Sequence, residues 1–546
     1  MKKMYKKIQI LTLLVSVSIG FEMCQNNSEK RNEKLSEYVF VNGQNFIDPF
    51  GREIILQGIN LVNKNKNENY LGSDGSEVFK DFKNWGFNCV RLGIIWDGLE
   101  PEPGVYNEDY LQGVDQQIQW AQENDIYVIL DMHQDLYSVK YSDGAPEWAT
   151  IDEGQPHVRG AIWSDSYLMS PAVQISFDNF WKNTAVSDGV GVQDHYVNAW
   201  KHVAERYADN KMVIGFDIMN EPFIGSSANE VMPMLLGSYA MVIAEETGNP
   251  PPGADELMAI WSNEESRLEA LKQIAEAEKY QKVIDAVYEI NAKFESTILS
   301  DFYQKVRDEI RQVNKHHILF FEHSYFSNTG IYSAFKPVVD EKGVQDPLQA
   351  YAAHGYDLLT DTKEVENPSY ERVELIFERI AETSRRMNMP VFLGEWGAYH
   401  SQSSQMVRTA DHSVSLIEKL KFSNTFWAHY HDISTYAYFN HRIIRPYPSK
   451  ISGKLISYKY DMNTGEFDCS WEEEAGIEEP TRLYIPNLSR FSEENVWIEP
   501  ESEKIIIESI SDSGAGYLII SPIGGAVTRN LKIKFSDLEA TSISLN

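Results

Sequence analysis

Short apolar runs alternate with stretches of helical period along most of this chain. Eight runs read as strands: Ile54–Ile59, Asn88–Ile95, Tyr127–Met132, Val213–Met219, His317–Phe321, Tyr351–His354, Val391–Gly394 and Thr425–His429. They are nearly continuous in apolar residues, which predicts strands buried on both faces. Between them apolar positions recur every three or four residues. Leu111, Val114, Ile118 and Ala121 share one helical face, as do Val197, Trp200, Ala204 and Tyr207. This alternation predicts a (β/α)8 TIM barrel. An open doubly wound sheet would share it, but no glycine-rich phosphate loop supports that alternative.

Two connections are too long for ordinary barrel loops, about 136–194 after the third strand and about 223–294 after the fourth. Both leave the C-terminal face, where barrel enzymes build their sites. The second holds Val231-Met232-Pro233-Met234-Leu235-Leu236 and Tyr239-Ala240-Met241-Val242-Ile243. Such an apolar, methionine-rich stretch serves either as the insertion's own core or as a surface that adapts to a flexible apolar ligand. The charged stretch 255–293 reads as a solvated helical hairpin. From Arg445 onward helical period gives way to short β-rich runs: Leu455–Tyr460, Leu483–Ile485, Lys504–Ile510, Tyr517–Ser521 and Leu531–Phe535. They predict a small antiparallel β-sandwich. The expected division is 1–20 leader, 21–37 polar linker, 38–444 barrel and 445–546 sandwich.

The leader carries Lys2, Lys3, Lys6 and Lys7 before an apolar stretch, Ile8 to Ile19, too short to span a bilayer stably. It predicts secretion. Cys24 offers a lipoprotein anchor as an alternative, although Phe21-Glu22-Met23 departs from the small residues such anchors need. The net charge of −32 over 546 residues argues against nucleic acid and against adsorption to anionic lipid. Cys24, Cys89 and Cys469 make neither a disulfide framework nor a metal motif, so no cofactor is expected.

Candidate chemistry gathers where the strands end. Phe216-Asp217-Ile218-Met219-Asn220-Glu221-Pro222 and Val391-Phe392-Leu393-Gly394-Glu395-Trp396-Gly397 each place a glutamate just beyond a buried run. A carboxylate there is costly unless a job holds it. Two facing each other suit glycosidic cleavage, one as proton donor and one as nucleophile. Arg91, His133 with Asp135, Asn220, His354 with Tyr356, and Trp427 end other strands. Taken singly, each is an ordinary core residue. Convergence at one end of several strands points to a site.

These residues resemble those of glycoside hydrolase family 5. That resemblance implies Glu221 as acid/base, Glu395 as nucleophile, Asn220 as donor to the sugar 2-hydroxyl and Tyr356 as a partner of the nucleophile. With Arg91, Tyr356 is expected to keep Glu395 ionised. Leu130-Asp131-Met132-His133-Gln134-Asp135-Leu136-Tyr137-Ser138, Gly144-Ala145-Pro146-Glu147-Trp148-Ala149 and Phe177-Asp178-Asn179-Phe180-Trp181 are similar to the endoglycoceramidase branch. That narrower resemblance implies a glycosphingolipid substrate, with Lys64, Asp135 and Trp163 as further sugar contacts and transient membrane or micelle contact. The alternatives are a β-glucanase or β-glucosidase of the same family on non-lipid glycans, and a binding protein without catalysis.

Overall fold

The computed structural model describes residues 36–502, 504–510 and 513–536. The leader and Cys24 lie outside these. Strands β1 (Phe40–Asn42), β2 (Asn45–Ile47) and β3 (Glu53–Ile54) come first. Eight parallel strands then close a barrel: β4 (Gln57–Leu61), β5 (Cys89–Ile95), β6 (Tyr127–His133), β7 (Val213–Asp217), β8 (Ile318–Phe321), β9 (Gln349–Gly355), β10 (Val391–Trp396) and β11 (Ser423–Phe426).

The two-residue period of a strand divides barrel side chains between two cores. Cys89, Ile129, Phe320, Ala352 and Phe392 fill the barrel floor. Val90, Leu92, Leu130, Leu319, Ala353 and Leu393 pack outward under the helices. The helix Glu108–Glu123 is capped by Asn107 and buries Leu111, Val114, Ile118 and Ala121. Burying each large apolar side chain contributes about 1.5–3 kcal/mol. Helix Val192–Arg206 buries Val197, Trp200 and Ala204 in the same way.

The sandwich strands are β12 (Tyr447–Ile451), β13 (Gly453–Asp461), β14 (Glu466–Glu473), β15 (Thr481–Ile485), β16 (Val496–Glu499), β17 (Ile505–Ser509), β18 (Gly516–Ile520) and β19 (Val527–Lys534). One sheet runs β13-β14-β19-β16. The other runs β1-β2-β3-β12-β15-β18-β17. The N-terminal strands thus join the sandwich sheet, through pairing of Ile54 with Lys450. Residues 38–444 are therefore not all barrel. The apolar run Ile54–Ile59 also splits, its first residue pairing in the sandwich and its end entering β4.

The long connection after β7 is a helical layer. Helix Ala228–Thr247 is followed by Ala254–Ser262, Glu264–Gln273, Ala277–Asp285 and Tyr288–Phe294. The expected solvated hairpin over 255–293 gives way to four short helices. They bury Leu257, Leu268, Tyr280, Val283 and Ile284, because their apolar residues turn inward behind a charged outer face.

Candidate active site

Stepping two residues up from the apolar floor reaches charged side chains: Arg91 above Cys89, Asp131 above Ile129, Glu322 above Phe320 and His354 above Ala352. All four are fully buried. Arg91 is the hub. Its Nη1 donates to Glu395 Oε1 at 2.8 Å and to Asn60 Oδ1 at 3.1 Å. Nε donates to Asp217 Oδ2 at 2.8 Å. Nη2 reaches Asn220 Oδ1 at 3.0 Å, Glu322 Oε1 at 2.8 Å and Asp131 Oδ1 at 2.9 Å.

Glu221 and Glu395 face each other with His354 between them. An oxygen of each lies within 4.8 Å of the other and of an imidazole nitrogen. His354 Nδ1 stands 3.1 Å from Glu221 Oε1 and 3.6 Å from Glu395 Oε2, and its Nε2 is 3.2 Å from Glu322. Burial alone would strip its proton. Glu322, Glu395 and Glu221 outweigh burial and hold His354 well above the ordinary histidine range, as an imidazolium. Asn328 Nδ2 also donates to Glu221 Oε1, at 2.7 Å. Both donors meet Glu221 at the same oxygen, Oε1. The Tyr356 hydroxyl donates to Glu395 Oε2 at 3.0 Å.

Burial pushes the Glu395 carboxyl up to about 7. His354 and Arg91 pull it down, and the charge of Glu221 adds to the rise. The expectation that Arg91 and Tyr356 would leave this carboxylate freely ionised is thus corrected. Desolvation at a nearly closed site outweighs them. Burial also raises Asp131 and Asp217 to about 6, and Glu322 well above the carboxylate range.

Lys64 lies against Asp135, 3.7 Å from Asp143 and 5.1 Å from the ring centre of Trp427. His133 stacks on Trp427 with centroids 5.3 Å apart and planes 13° apart. Burial and Lys64 keep His133 neutral. Its Nδ1 meets Asp131 at 2.8 Å, and Nε2 has no partner among the described residues. Asn220 Nδ2 donates to Gln134 O at 3.0 Å, which leaves its second hydrogen free. Trp163 stands at the rim, with its Nε1 donating to Asp361 at 2.8 Å. Among the described residues, three acidic clusters have metal-like spacing. Lys64, His354 and Arg91 supply the positive charge in them.

Glu221, Glu395, Tyr356, Lys64, His133, Asp135, Trp163 and Trp427 line one cavity of about 730 Å³, whereas Arg91, Asn220 and His354 do not. Lys64, His133, Asp135 and Trp427 form a polar wall. Met232, Leu235, Leu236 and Tyr239 of the helix after β7, with Ile260, Val283 and Ile284, form an apolar one. Asn328, which donates to Glu221, and Tyr325 also line it.

The structure therefore brings together every site residue expected from sequence, with Trp163 the outermost. Sequence reasoning missed Asp131, Asp217 and Glu322 as partners of Arg91, and Asn328 as a donor to Glu221. Glu322 was within reach, since it follows the apolar run Ile318–Phe321 as Glu395 follows its own. Asn328 sits in a short 3-10 turn with no distinguishing pattern.

A closed parallel barrel with paired carboxylates at its C-terminal mouth defines a glycoside hydrolase architecture. The chain belongs to glycosyl hydrolase family 5: residues 47–432 match Cellulase (glycosyl hydrolase family 5), and residues 445–533 match its C-terminal domain. An endoglycoceramidase of Cyanea nozakii is 32% identical over 237 residues, 38% of this chain and 46% of that protein. Endoglycoceramidase I of Rhodococcus hoagii is 32% identical over 193 residues, 34% of this chain and 37% of that protein. The chain thus spans less than half the length of these relatives. The solved structure of endo-glycoceramidase II from Rhodococcus sp. with ganglioside GM3 shares the fold. Its TM-score is 0.68 at 22% identity, covering 91% of this chain and all of that one.

Proposed function

We propose that this chain is a retaining endo-β-glycosidase that cleaves glycosphingolipids between the oligosaccharide and ceramide. The observation that carries this reading is the pairing of two close carboxylates with a cavity polar on one wall and apolar on the other. The sugar lies against Trp427, with Lys64, Asp135 and the free Nε2 of His133 meeting its hydroxyls. The apolar wall grows from the connection that follows Glu221, so the leaving group lies on the acid's side.

In the first step a Glu395 oxygen attacks the anomeric carbon. The bond to the ceramide oxygen breaks, and the Glu221 proton passes to that oxygen. In the second step Glu221 takes a proton from water, the hydroxide attacks the anomeric carbon, and Glu395 departs. Separation under about 5.5 Å suits this double displacement and leaves no room for the water of an inverting enzyme. His354 and Arg91 stabilise negative charge on the carboxylates.

Incubation with defined glycosphingolipids and mass analysis of both products tests the reading. Intact oligosaccharide plus ceramide supports it. Cleavage of glucan or simple glucosides alone overturns it in favour of a β-glucanase or β-glucosidase. Exposed Met234, Met241 and Met258 on the insertion helices support transient contact with a micelle or membrane. Flotation with neutral liposomes measures that contact. The leader at 1–20 supports export, which a reporter fusion locates.

A further inference from the structure

Glu322 follows β8, which neighbours the strand that delivers Glu221. It is fully buried and takes no part in the steps above. Its carboxylate is nevertheless shared three ways. Oε2 accepts the backbone N–H of Glu221 at 2.8 Å. Oε1 accepts from Arg91 Nη2 at 2.8 Å and lies 3.2 Å from His354 Nε2.

The residue is also held from behind. The Tyr303 hydroxyl donates to the Glu322 carbonyl at 2.8 Å. The next N–H, of Ser324, donates to the buried Glu295 at 2.7 Å after one intervening residue. Tyr325 N–H then bonds the Pro222 carbonyl at 2.9 Å. The turn after β8 is thus tied to the turn after β7 at both Glu221 and Pro222.

Glu221 needs such a tie. Its φ is +46°, in the left-handed region that costs a non-glycine residue about 1–2 kcal/mol. Its N–H is buried with the turn and finds its acceptor in Glu322 Oε2, and leaving such a buried donor without an acceptor costs about 1–3 kcal/mol.

We propose that Glu322 is a positioning residue for proton transfer: by accepting the Glu221 N–H it fixes the left-handed turn that aims the acid at the departing oxygen. It touches no reacting atom. Its contacts with Arg91 and His354 allow a rival role, bracing the nucleophile, and the two roles differ in their dependence on the leaving group. The inference rests on the reading of Glu221 as acid/base.

The test compares kcat/KM on two aryl β-glycosides with the same sugar, one with a dinitrophenol leaving group that needs no proton and one with an unactivated phenol. General acid catalysis contributes about 10²–10⁴-fold. Glu322→Ala, which removes the acceptor, is expected to lose at least about tenfold on the unactivated substrate and under about threefold on the dinitrophenyl one. Glu322→Asp, which keeps a carboxyl but shortens its reach, serves if the first variant does not fold, and should give the same split. Equal losses on both substrates, or none on either, overturn the proposal. Glu221→Gln in parallel separates the two readings. If it shows no such split, the acid/base reading itself fails, and the role given to Glu322 falls with it.

Discussion

Arg91 donates through Nη1 to Oε1 of Glu395 at 2.8 Å, from a position with no solvent exposure. The guanidinium cannot move away, because Asp131, Asp217 and Glu322 hold its other nitrogens. Glu395 is therefore aimed upward from a rigid floor. On the proposed mechanism, losing this carboxylate removes the covalent step. Glu395→Gln is expected to lower kcat by about 10⁴-fold or more on any glycoside. A 2-fluoro glycoside with an activated leaving group should add one sugar mass to the wild type and none to this variant. Label on another residue, read by peptide mapping, would contradict the assignment.

The acid limb of the pH profile should report Glu395. Attack needs the ionised form, and burial places this carboxyl at about 7. Below that pH the fraction ionised falls tenfold per unit, so kcat/KM should fall as pH drops through neutrality. His354 lowers the Glu395 value by its positive charge. His354→Gln should therefore move the acid limb to higher pH, by about one unit. An unmoved limb, with chemistry rate-limiting, would mean that His354 is not charged in the free enzyme.

The close spacing of the carboxylates predicts stereochemistry. An oxygen of Glu221 lies within 4.8 Å of one of Glu395, against about 6.5–9.5 Å for carboxyl pairs that invert. The first-formed sugar should carry the β configuration, with α appearing only by slow mutarotation. Proton NMR during the first turnovers decides this. An initial α product would sink double displacement.

Much of the architecture could be read from the chain because buried parallel strands advertise themselves as continuous apolar runs. The same property hid detail. Nothing in the run from Ile54 to Ile59 marks where the sandwich strand ends and β4 begins, since both are buried. Glu221 and Glu395 stood out because local motifs frame them. Glu322 obeys the same strand-end rule, but its meaning lies in contacts with Arg91, Glu221 and His354, all distant in sequence. The insertion helices misled for a related reason. Their outer face carries the charge that sequence shows, while Leu257, Leu268 and Tyr280 turn inward where only tertiary packing reveals them.

The joint between barrel and sandwich should be sensitive at Gly86. Its φ is +80°, and a Cβ there would stand 2.4 Å from the Tyr484 ring. The ring cannot swing away cheaply, because Tyr484 donates its hydroxyl to Asn84 O at 2.6 Å. Gly86→Ala is expected to cost about 1–3 kcal/mol through strain and overpacking. Gly104 also has positive φ, at +73°, but open space around it. Gly104→Ala should therefore lower Tm less. Calorimetry on the two variants separates steric conflict from backbone strain, and equal shifts would remove the packing argument.

The apolar wall offers the sharpest test of a lipid substrate. Met234, in the stretch that sequence leaves open between insertion core and lipid surface, is exposed and does not line the cavity, while Met232 and Leu235 of helix Ala228–Thr247 do. The pair to change is therefore Met232 and Leu235. Each methylene that a ceramide chain buries against them is worth about 0.8 kcal/mol, so a few lost contacts cost an order of magnitude or more. The double variant Met232→Ser with Leu235→Ser should lower kcat/KM on glycosphingolipids by at least about tenfold. Turnover of a short aryl glycoside, which places nothing against that wall, should change by less than about twofold. Equal losses on both substrates, with a lowered Tm, would mean that these residues serve only as the insertion's own core. Unchanged rates on both would take the helix out of substrate recognition.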